Sequence, residues 1–337
     1  MAAFCAFARG KLTTRILPSF LYTRGYCDAV AKESYLYHPK IRPLEPEIQT
    51  LSLTKTLHMG DISSCLQETF IDPVKREAMM SKFKQNIIQT RLFNFEGDVA
   101  TRDMSAMPLM QNMLRVVWSY ANSFPGLLDT SLTYKPHTFA FWEREHLIQV
   151  SGRLGFLLSS KNQLKQVADS EEVQKTKEIQ VDRPEIISPV FHLHSTNIEP
   201  KFEPGFYSSA PFPYPHTFII VSEDTRWPTN QLVGQGIMFS CARLVAEAVE
   251  NHKYQMGDEL EKPLTAQCIV TDGIRFSFIF YQLNTLCFHD DKGVKNMAWI
   301  SPGCSCIERQ YLTTLKREKK LKGKEEVSTC KERSNTA

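Results

Sequence analysis

The segment from Ala266 to Phe288 constrains the fold more than any other, because it has the pattern of a long β-hairpin. Two runs of strand-forming residues flank Asp272-Gly273, a dipeptide that tolerates the positive φ angles of a two-residue hairpin turn. The second run is apolar on both faces: Ile274, Phe276, Phe278 and Phe280 alternate with a face that becomes apolar at Ile279, Tyr281 and Leu283. Such a strand is expected at the centre of a covered sheet.

Apolar periodicity predicts helices and a second hairpin elsewhere in the chain. Together with the first hairpin, these elements predict an α+β protein with a mixed or antiparallel sheet built from hairpins and flanked by helices. The predicted helices run from Asp72 to Ile88, from Met107 to Phe124 after Asp103, from Ser170 onward, and from Gln231 to His252; the second hairpin joins Thr138–Trp142 to His146–Ser151.

Seven sequence blocks are spread over most of the chain, from Leu53 to Ser301. They are LTKT (from Leu53), HTFAFWEREHLIQV (from His137), ISPVFHLHSTNI (from Ile187), PFPYPHT (from Pro211), TDG (from Thr271), FSFIFYQLNT (from Phe276) and GVKNMAWIS (from Gly293). In this order, the blocks resemble a family of mitochondrial ribosomal proteins. The resemblance implies a non-catalytic structural constituent of the large ribosomal subunit that supports mitochondrial translation. Its implied partners are other ribosomal proteins, including its paralogue, which is also called programmed cell death protein 9, and the large-subunit rRNA.

The N-terminal residues indicate import into mitochondria. Residues 1–27 contain four basic residues and no acidic one, interleaved with apolar residues, which is typical of a mitochondrial presequence. The nine cysteines show neither paired CxxC blocks nor the density of a secreted disulfide scaffold, which favours reduced thiols. Reduced thiols fit the mitochondrial matrix or the cytosol, and with the presequence we expect the matrix. No apolar run approaches the length of a membrane span.

The sequence divides into four regions. After the presequence, residues 28–52 are rich in proline and predict an extended N-terminal arm that wraps over partners. Residues 53–302 form the predicted α+β core. Residues 303–337 depart from the family pattern and predict a basic, disordered tail.

The charge is unevenly distributed along the chain. The formal charge is +3, and removing four basic residues before Asp28 and a net charge of +4 from Tyr311 onward leaves about −5 for the body. Because phosphate affinity comes from clustered Lys and Arg, this body is predicted to contact mainly proteins.

The sequence offers few groups arranged for chemistry. It lacks the phosphate-binding, dinucleotide-binding, nucleophile-elbow and zinc-protease motifs, and we expect no enzyme, no cofactor, no metal and no small-molecule substrate. The alternative is a soluble matrix metalloenzyme that uses His192, His194 and His216 as ligands. Cys304 and Cys306 lack a second pair at metal-ligand spacing.

The remaining candidates are contact residues. The proline-rich segment before Thr217 predicts a stiff surface loop, on which aromatic side chains lose little entropy when they dock on a partner. The candidates for protein contact are Phe206, Tyr207, Phe212 and Tyr214, and those for rRNA contact around the hairpin are Arg275, Lys292 and Lys295.

Overall fold

The computed structural model describes residues 34–37, 39, 46–62, 72–93, 102–144, 147–181, 201–206, 210–222, 227–301 and 303–305. All of them lie in one compact unit that begins at Ser34. The predicted presequence and nearly all of the predicted tail lie outside the described residues.

The described residues form eleven strands and five α-helices. The strands are β1 (Ser34–Tyr37), β2 (Thr56–His58), β3 (Thr130–Tyr134), β4 (His137–Glu143), β5 (Leu147–Arg153), β6 (Phe156–Ser160), β7 (Tyr214–Val221), β8 (Glu259–Thr271), β9 (Arg275–Thr285), β10 (Asn296–Ile300) and β11 (Cys304–Ser305). The helices are α1 (Pro46–Leu53), α2 (Pro73–Phe93), α3 (Arg102–Ser119), α4 (Ser170–Lys175) and α5 (Thr229–Glu250).

The strands form two sheets. The larger has the order β2-β10-β9-β8-β7-β6-β3, with β11 paired to β9, and the smaller has the order β1-β5-β4. The pairs β1/β5, β2/β10 and β7/β8 are parallel, and β8/β9 and β4/β5 are the two predicted antiparallel hairpins. Helix α5 lies in the connection between parallel strands β7 and β8, as such pairs require a crossover. The prediction of an α+β protein with a mixed sheet is therefore confirmed.

Helix α5 lies between the two sheets. Its side chains share one core cluster with Trp142 and Val150 of the smaller sheet and with Ile279 and Tyr281 of the larger one. Eighteen of its residues, Gln231 to Ala248, are buried. The predicted helix is confirmed, but it is enclosed on all sides rather than along one apolar face. By length and composition α5 could cross a membrane, which the sequence analysis did not anticipate; its most apolar window is 94% buried within the fold, which accounts for its composition.

Helix α5 has glycine at two positions where other segments of the same chain pack closely against it. A Cβ atom on Gly236 would lie 2.6 Å from Val270 Cγ2 and 2.4 Å from Ile279 Cδ1. Two residues earlier, a Cβ atom on Gly234 would lie 2.7 Å from the carbonyl oxygen of Pro46. Glycine disfavours helices by about 1 kcal/mol relative to alanine, so close packing against β8, β9 and α1 accounts for its use here.

The N-terminal arm is more folded than predicted. Strand β1 pairs with β5, and Tyr37 packs edge to face on Phe239 of α5. Pro46 occupies the first position of α1, where its missing N–H costs nothing, and Trp142 Nε1 donates to the carbonyl oxygen of Leu53 at the other end of this helix, at 2.9 Å. The expectation of an extended arm is therefore wrong for residues 46–52, which are helical and pack on the core.

The β8–β9 hairpin is central, but its turn differs from the prediction. Thr271 pairs with Phe276, so the loop is longer than two residues, and within Asp272-Gly273 only Gly273 has a positive φ angle, 82°. The carboxylate of Asp272 accepts hydrogen bonds from the backbone N–H groups of Ile274 at 2.9 Å and Arg275 at 2.7 Å. The predicted two-residue turn is wrong because this buried side chain, not the backbone alone, closes the loop.

Strand β9 is covered on both faces, as predicted. Ile279 and Tyr281 face α5, whereas Phe276 packs in a second cluster with α3 and Phe280 in a third with Trp299. Phe278 is only half-buried between these two clusters.

Helices α3 and α2 form successive layers over the second face of the larger sheet. Met110 and Leu114 of α3 pack on Phe156 and Ile219 of the sheet. Helix α2 then packs on α3, where Asn112 Nδ2 donates to Thr90 Oγ1 at 2.8 Å. The predicted start of α2 is confirmed, since the N–H of Val74 donates to the Asp72 carboxylate at 3.3 Å.

The proline-rich segment enters the sheet earlier than predicted. Strand β7 begins at Tyr214 and includes Pro215, although the sequence analysis placed the strand start at Thr217. Pro215 faces Ser159 where the β6–β7 register shifts, and such irregularities tolerate a residue without an N–H group.

Candidate functional site

The outer helix α2 presents an exposed basic surface. Lys75, Arg76, Lys82 and Lys84 are exposed, and Glu77 is the one exposed acidic residue among the described side chains of this helix. Lys75 and Lys82 lie seven residues apart and therefore share a face. A local excess of cations on a solvated helix is the arrangement that binds a polyanion.

The basic surface also carries apolar groups and continues onto α3. The exposed fractions of Val74, Met80 and Ile88 on α2 are 74%, 49% and 40%. Arg115 of α3 is exposed as well, and Lys82 Nζ lies 4.7 Å from the centre of the Tyr120 ring. Exposed apolar side chains beside cationic ones on the same helix are suited to a macromolecular partner rather than to a small ligand.

The predicted aromatic contact residues occupy different environments. Phe206 packs partly on the main core, while Phe212 is half-buried with Lys161 Nζ 5.9 Å from its ring centre. Tyr214 is half-buried at the start of β7, and Tyr207 lies outside the described residues.

The segment that precedes these aromatics is attached to the core through a buried arginine. Arg243 of α5 is 1% exposed and donates to the carbonyl oxygen of Pro204 at 2.6 Å and to Thr138 Oγ1. Its guanidinium lies 5.0 Å from the centre of the Phe218 ring, and burial lowers its pKa to about 10. Residues 201–206 are thus held on β4 and α5 rather than presented freely.

A histidine connects the same segment to the smaller sheet. His137 Nδ1 pairs with the Glu203 carboxylate, which also pairs with Lys201, and His137 Nε2 lies 3.4 Å from Ser151 Oγ. Serine, histidine and carboxylate in this order resemble a catalytic triad, but the 3.4 Å between Ser151 Oγ and His137 Nε2 exceeds a normal hydrogen bond to a hydroxyl. The pairs tie strands β4 and β5 to the segment.

The three residues predicted to contact rRNA also differ in their exposure to solvent. Lys292 is exposed, and Arg275 forms an ion pair with Asp272 at 2.7 Å while its side chain remains 29% exposed. Lys295 is fully buried, and its Nζ donates to the carbonyl oxygens of Gly293 at 2.7 Å and Thr176 at 3.3 Å. An outside phosphate cannot reach a side chain enclosed in this way, so we remove Lys295 from the candidates.

Lys295 belongs to a set of cations beneath the loop that joins β9 to β10. Lys55, at a positive φ of 49°, is fully buried and donates to the carbonyl oxygens of Cys287 at 2.8 Å and Lys292 at 2.5 Å. Arg144 donates to the carbonyl oxygen of Phe288 at 2.8 Å. Burial lowers the pKa of Lys55, and the carbonyl oxygens compensate part of the lost hydration of these cations.

The outer side of this loop brings three metal-binding side-chain types together. Cys287, His289 and Asp290 each offer one donor atom, and the three atoms lie within 4.8 Å of one another. Of the predicted histidine ligands, His216 is half-buried, its pKa is lowered by burial, and its Nδ1 lies 2.8 Å from Thr217 Oγ1. His192 and His194 lie outside the described residues.

The fold and its surface define the class of this chain as an α+β protein with an enclosed central helix and a basic outer helix. Residues 225–302, which include α5 and the strands β8 to β10, match the family model described as mitochondrial 28S ribosomal protein S30 (PDCD9). Several similar curated proteins are named large ribosomal subunit protein mL37. The protein of Rattus norvegicus is 29% identical over 275 residues, that of Bos taurus 28% over 276, and that of Gallus gallus 26% over 276.

Each alignment covers 79% of this chain and 63% or 64% of the relative, so the chain spans a little under two thirds of the length of the proteins it matches. The resemblance to mitochondrial ribosomal proteins is confirmed. The family description carries a 28S designation, whereas the names of the relatives refer to the large subunit.

Sequence reasoning missed the two most informative surfaces. The basic character of α2 was hidden because the charge was summed over the whole body; the spacing of Lys75, Arg76, Lys82 and Lys84 in one helix could have revealed it. The sequence Cys287-x-His289-Asp290 is too short to match a standard zinc motif, and only the loop geometry brings its side chains together.

Proposed function

We propose that this chain is a structural, non-enzymatic constituent of the large subunit of the mitochondrial ribosome. It is located in the mitochondrial matrix and supports mitochondrial translation through contacts with ribosomal proteins, including its paralogue, and with the large-subunit rRNA. The observation that carries this proposal is the similarity to large-subunit proteins over 79% of the chain. A second support is that the family match covers α5, β8, β9 and β10, the elements around which both sheets pack.

Helix α2 is the surface that we assign to rRNA. Its four exposed cations lie on an outer layer that packs on α3, so they reach a partner without any rearrangement of the core. Each phosphate that a Lys or Arg neutralises releases a condensed counterion, which favours binding at moderate salt. Lys292 is the second assigned contact, since it is exposed beside the loop that follows β9.

Protein contacts are assigned to the half-buried aromatics around the start of β7. Phe212 and Tyr214 have part of their rings exposed next to prolines, which restrict the backbone and lower the entropy cost of docking. Phe206 contributes less, because it packs on the core of the chain itself.

Gradient sedimentation tests the proposal. The full chain, tagged at its C-terminus and expressed in cultured cells, is followed in sucrose gradients of mitochondrial lysate at moderate and high salt. We expect it in the large-subunit peak at both salt concentrations. Migration with the small subunit, which the 28S designation would suggest, or at the top of the gradient would overturn the assignment.

Charge substitutions test the rRNA surface separately. In the variant Lys75→Gln, Lys82→Gln, Lys84→Gln, the slope of log affinity for a large-subunit rRNA fragment against log salt should fall by about 2 to 3, because each lost phosphate contact removes roughly 0.7 to 0.9. The matched control replaces Lys165, Lys177 and Lys262, exposed lysines outside α2, with Gln.

The control keeps the same net charge as the variant and should leave the slope near wild type. Equal slopes for the two variants would show that the lysines of α2 contact phosphates no more than other exposed lysines do. The conclusion from the sucrose gradients about assembly into the large subunit would not be affected.

A further inference from the structure

The loop between β9 and β10 has a backbone that is held in place and side chains that could bind a metal ion. The ring of Phe288 points inward, where it stacks on Trp142 with 5.2 Å between ring centres. Its neighbours Cys287 and His289 are half-buried and exposed, respectively, and one donor atom of each lies within 4.8 Å of one from Asp290. One buried aromatic therefore fixes the loop between two metal-ligating residue types.

The separations of the donor atoms approach those of a coordination sphere. Zinc lies about 2.3 Å from sulfur and 2.0 to 2.2 Å from nitrogen or oxygen, so tetrahedral ligand atoms stand about 3.4 to 3.6 Å apart. Through the single ring nitrogen Nε2, His289 lies 4.0 Å from Cys287 Sγ and 3.4 Å from Asp290 Oδ2. Cys287 Sγ lies 3.8 Å from Asp290 Oδ1, and one donor atom from each of the three residues lies within 4.8 Å of the other two. Rotations of these side chains on the same backbone would bring the three donor atoms onto one ion.

Hydrogen bonds hold the loop in this form. The N–H of Cys287 donates to Thr285 Oγ1 at 3.0 Å, and the N–H of Lys292 donates to Asp290 Oδ1 at 3.1 Å. From below, Lys55 and Arg144 bind the carbonyl oxygens of Cys287 and Phe288. A backbone that is already ordered lowers the entropy cost of collecting three ligands.

The nearby ammonium group does not exclude a cation. Lys55 Nζ lies 3.7 Å from Asp290 Oδ1, close enough to repel a metal ion. When a divalent ion binds, however, the Cys287 thiol releases its proton to solvent as the metal–sulfur bond forms. The thiolate and the Asp290 carboxylate then cancel the two positive charges of the ion, and Lys55 faces a site with no net charge.

We propose that Cys287, His289 and Asp290 bind a zinc-like divalent cation. The thiolate and imidazole favour zinc or cobalt over magnesium or calcium, which prefer sites made of oxygen atoms. Three protein ligands leave the fourth tetrahedral position to water. The site is separate from α2 and does not depend on the ribosomal assignment.

Cobalt titration of the purified full chain tests the proposal. Tetrahedral Co²⁺ with a thiolate ligand gives strong visible bands and a sulfur-to-cobalt charge-transfer band in the near ultraviolet. We expect this spectrum to saturate at one ion per chain, to disappear on addition of Zn²⁺ and to persist in excess Mg²⁺. The variant Cys287→Ser should lose the charge-transfer band, and His289→Ala should bind cobalt at least tenfold more weakly.

The matched control is Cys304→Ser, the same substitution at a cysteine that is exposed and lies on β11. It should keep the full spectrum and the wild-type affinity. Circular dichroism and urea midpoints without metal verify that the loop variants are folded. The absence of a thiolate band in the wild type, its survival in Cys287→Ser or its loss in Cys304→Ser would each overturn the proposal.

Discussion

The substitution Asp272→Ala tests the turn on which the central hairpin depends. Asp272 is 2% exposed, and its carboxylate accepts from two backbone N–H groups, at 2.7 and 2.9 Å. Removing it leaves both donors without their acceptor, at about 1 to 3 kcal/mol for each fully buried group. The ion pair with Arg275 adds little, since that side chain is 29% exposed and reaches water. We expect a loss of about 2 to 4 kcal/mol in the free energy of unfolding.

Two further variants distinguish the contribution of these hydrogen bonds to stability from that of the charge and from that of an exposed turn aspartate. Asp272→Asn keeps an oxygen acceptor at the same position, so it should cost only about 1 kcal/mol. Asp258→Ala removes an exposed aspartate that accepts one backbone N–H, from Gln255 at 2.8 Å, and should also cost about 1 kcal/mol or less.

Urea denaturation monitored by tryptophan fluorescence gives the three free energies under one set of conditions. The reasoning fails if Asp272→Asn is as destabilising as Asp272→Ala, because the charge would then matter more than the acceptor. It also fails if Asp272→Ala costs no more than the exposed control.

Five further substitutions test the core. Phe280→Ala should lower the free energy of unfolding by about 3 to 5 kcal/mol, because Phe280 is buried. Phe278 is half-buried, so Phe278→Ala should lower it by roughly half as much. Equal urea midpoints for the two variants would contradict the assigned burial. Gly236→Ala should destabilise, because overpacking of about 1 to 3 kcal/mol exceeds the gain of about 1 kcal/mol in helix propensity. Adding Ile279→Val, which removes the methyl group 2.4 Å from the new Cβ, should recover part of the loss in the same denaturation assay. Burial raises the pKa of Glu247, so its contribution to stability is full below an unfolded pKa of about 4.3 and is lost as pH rises through the folded pKa. Glu247→Gln should therefore abolish that fall in urea midpoints measured from about pH 4 to pH 8, and an unchanged pH dependence would count against it.

Local patterns in the sequence predicted the local elements of the fold. Alternating apolar residues identified the β4–β5 and β8–β9 hairpins, because adjacent antiparallel strands need only short-range information. Asp72 marked the start of α2 through its capping geometry. The parallel pairs β1/β5 and β2/β10 join residues far apart in the chain, and no local period specifies them.

Burial and the candidate sites also depend on contacts between residues far apart in the chain, which local sequence patterns do not specify. The period of α5 indicated one apolar face, yet a second sheet covers its other side, so polar residues such as Arg243 are buried among apolar ones. Arg243 is accommodated because its guanidinium finds the carbonyl oxygen of Pro204, a partner outside the helix. Lys295 was predicted to be a surface contact for the same reason: its buried state depends on acceptors at Thr176 and Gly293, and the former lies far away in the sequence.

The buried cations also change what the net charge means for binding. Lys55, Arg144, Arg243 and Lys295 count toward the charge of the body, but each is 7% exposed or less and is bound by internal acceptors. The described solvent-facing surface apart from α2 therefore carries fewer positive charges than its sequence suggests. A basic helix on such a background concentrates positive potential locally, which favours the approach of a polyanion to α2. A body of low net charge is for this reason compatible with the proposed rRNA contact, provided that the contact is centred on α2.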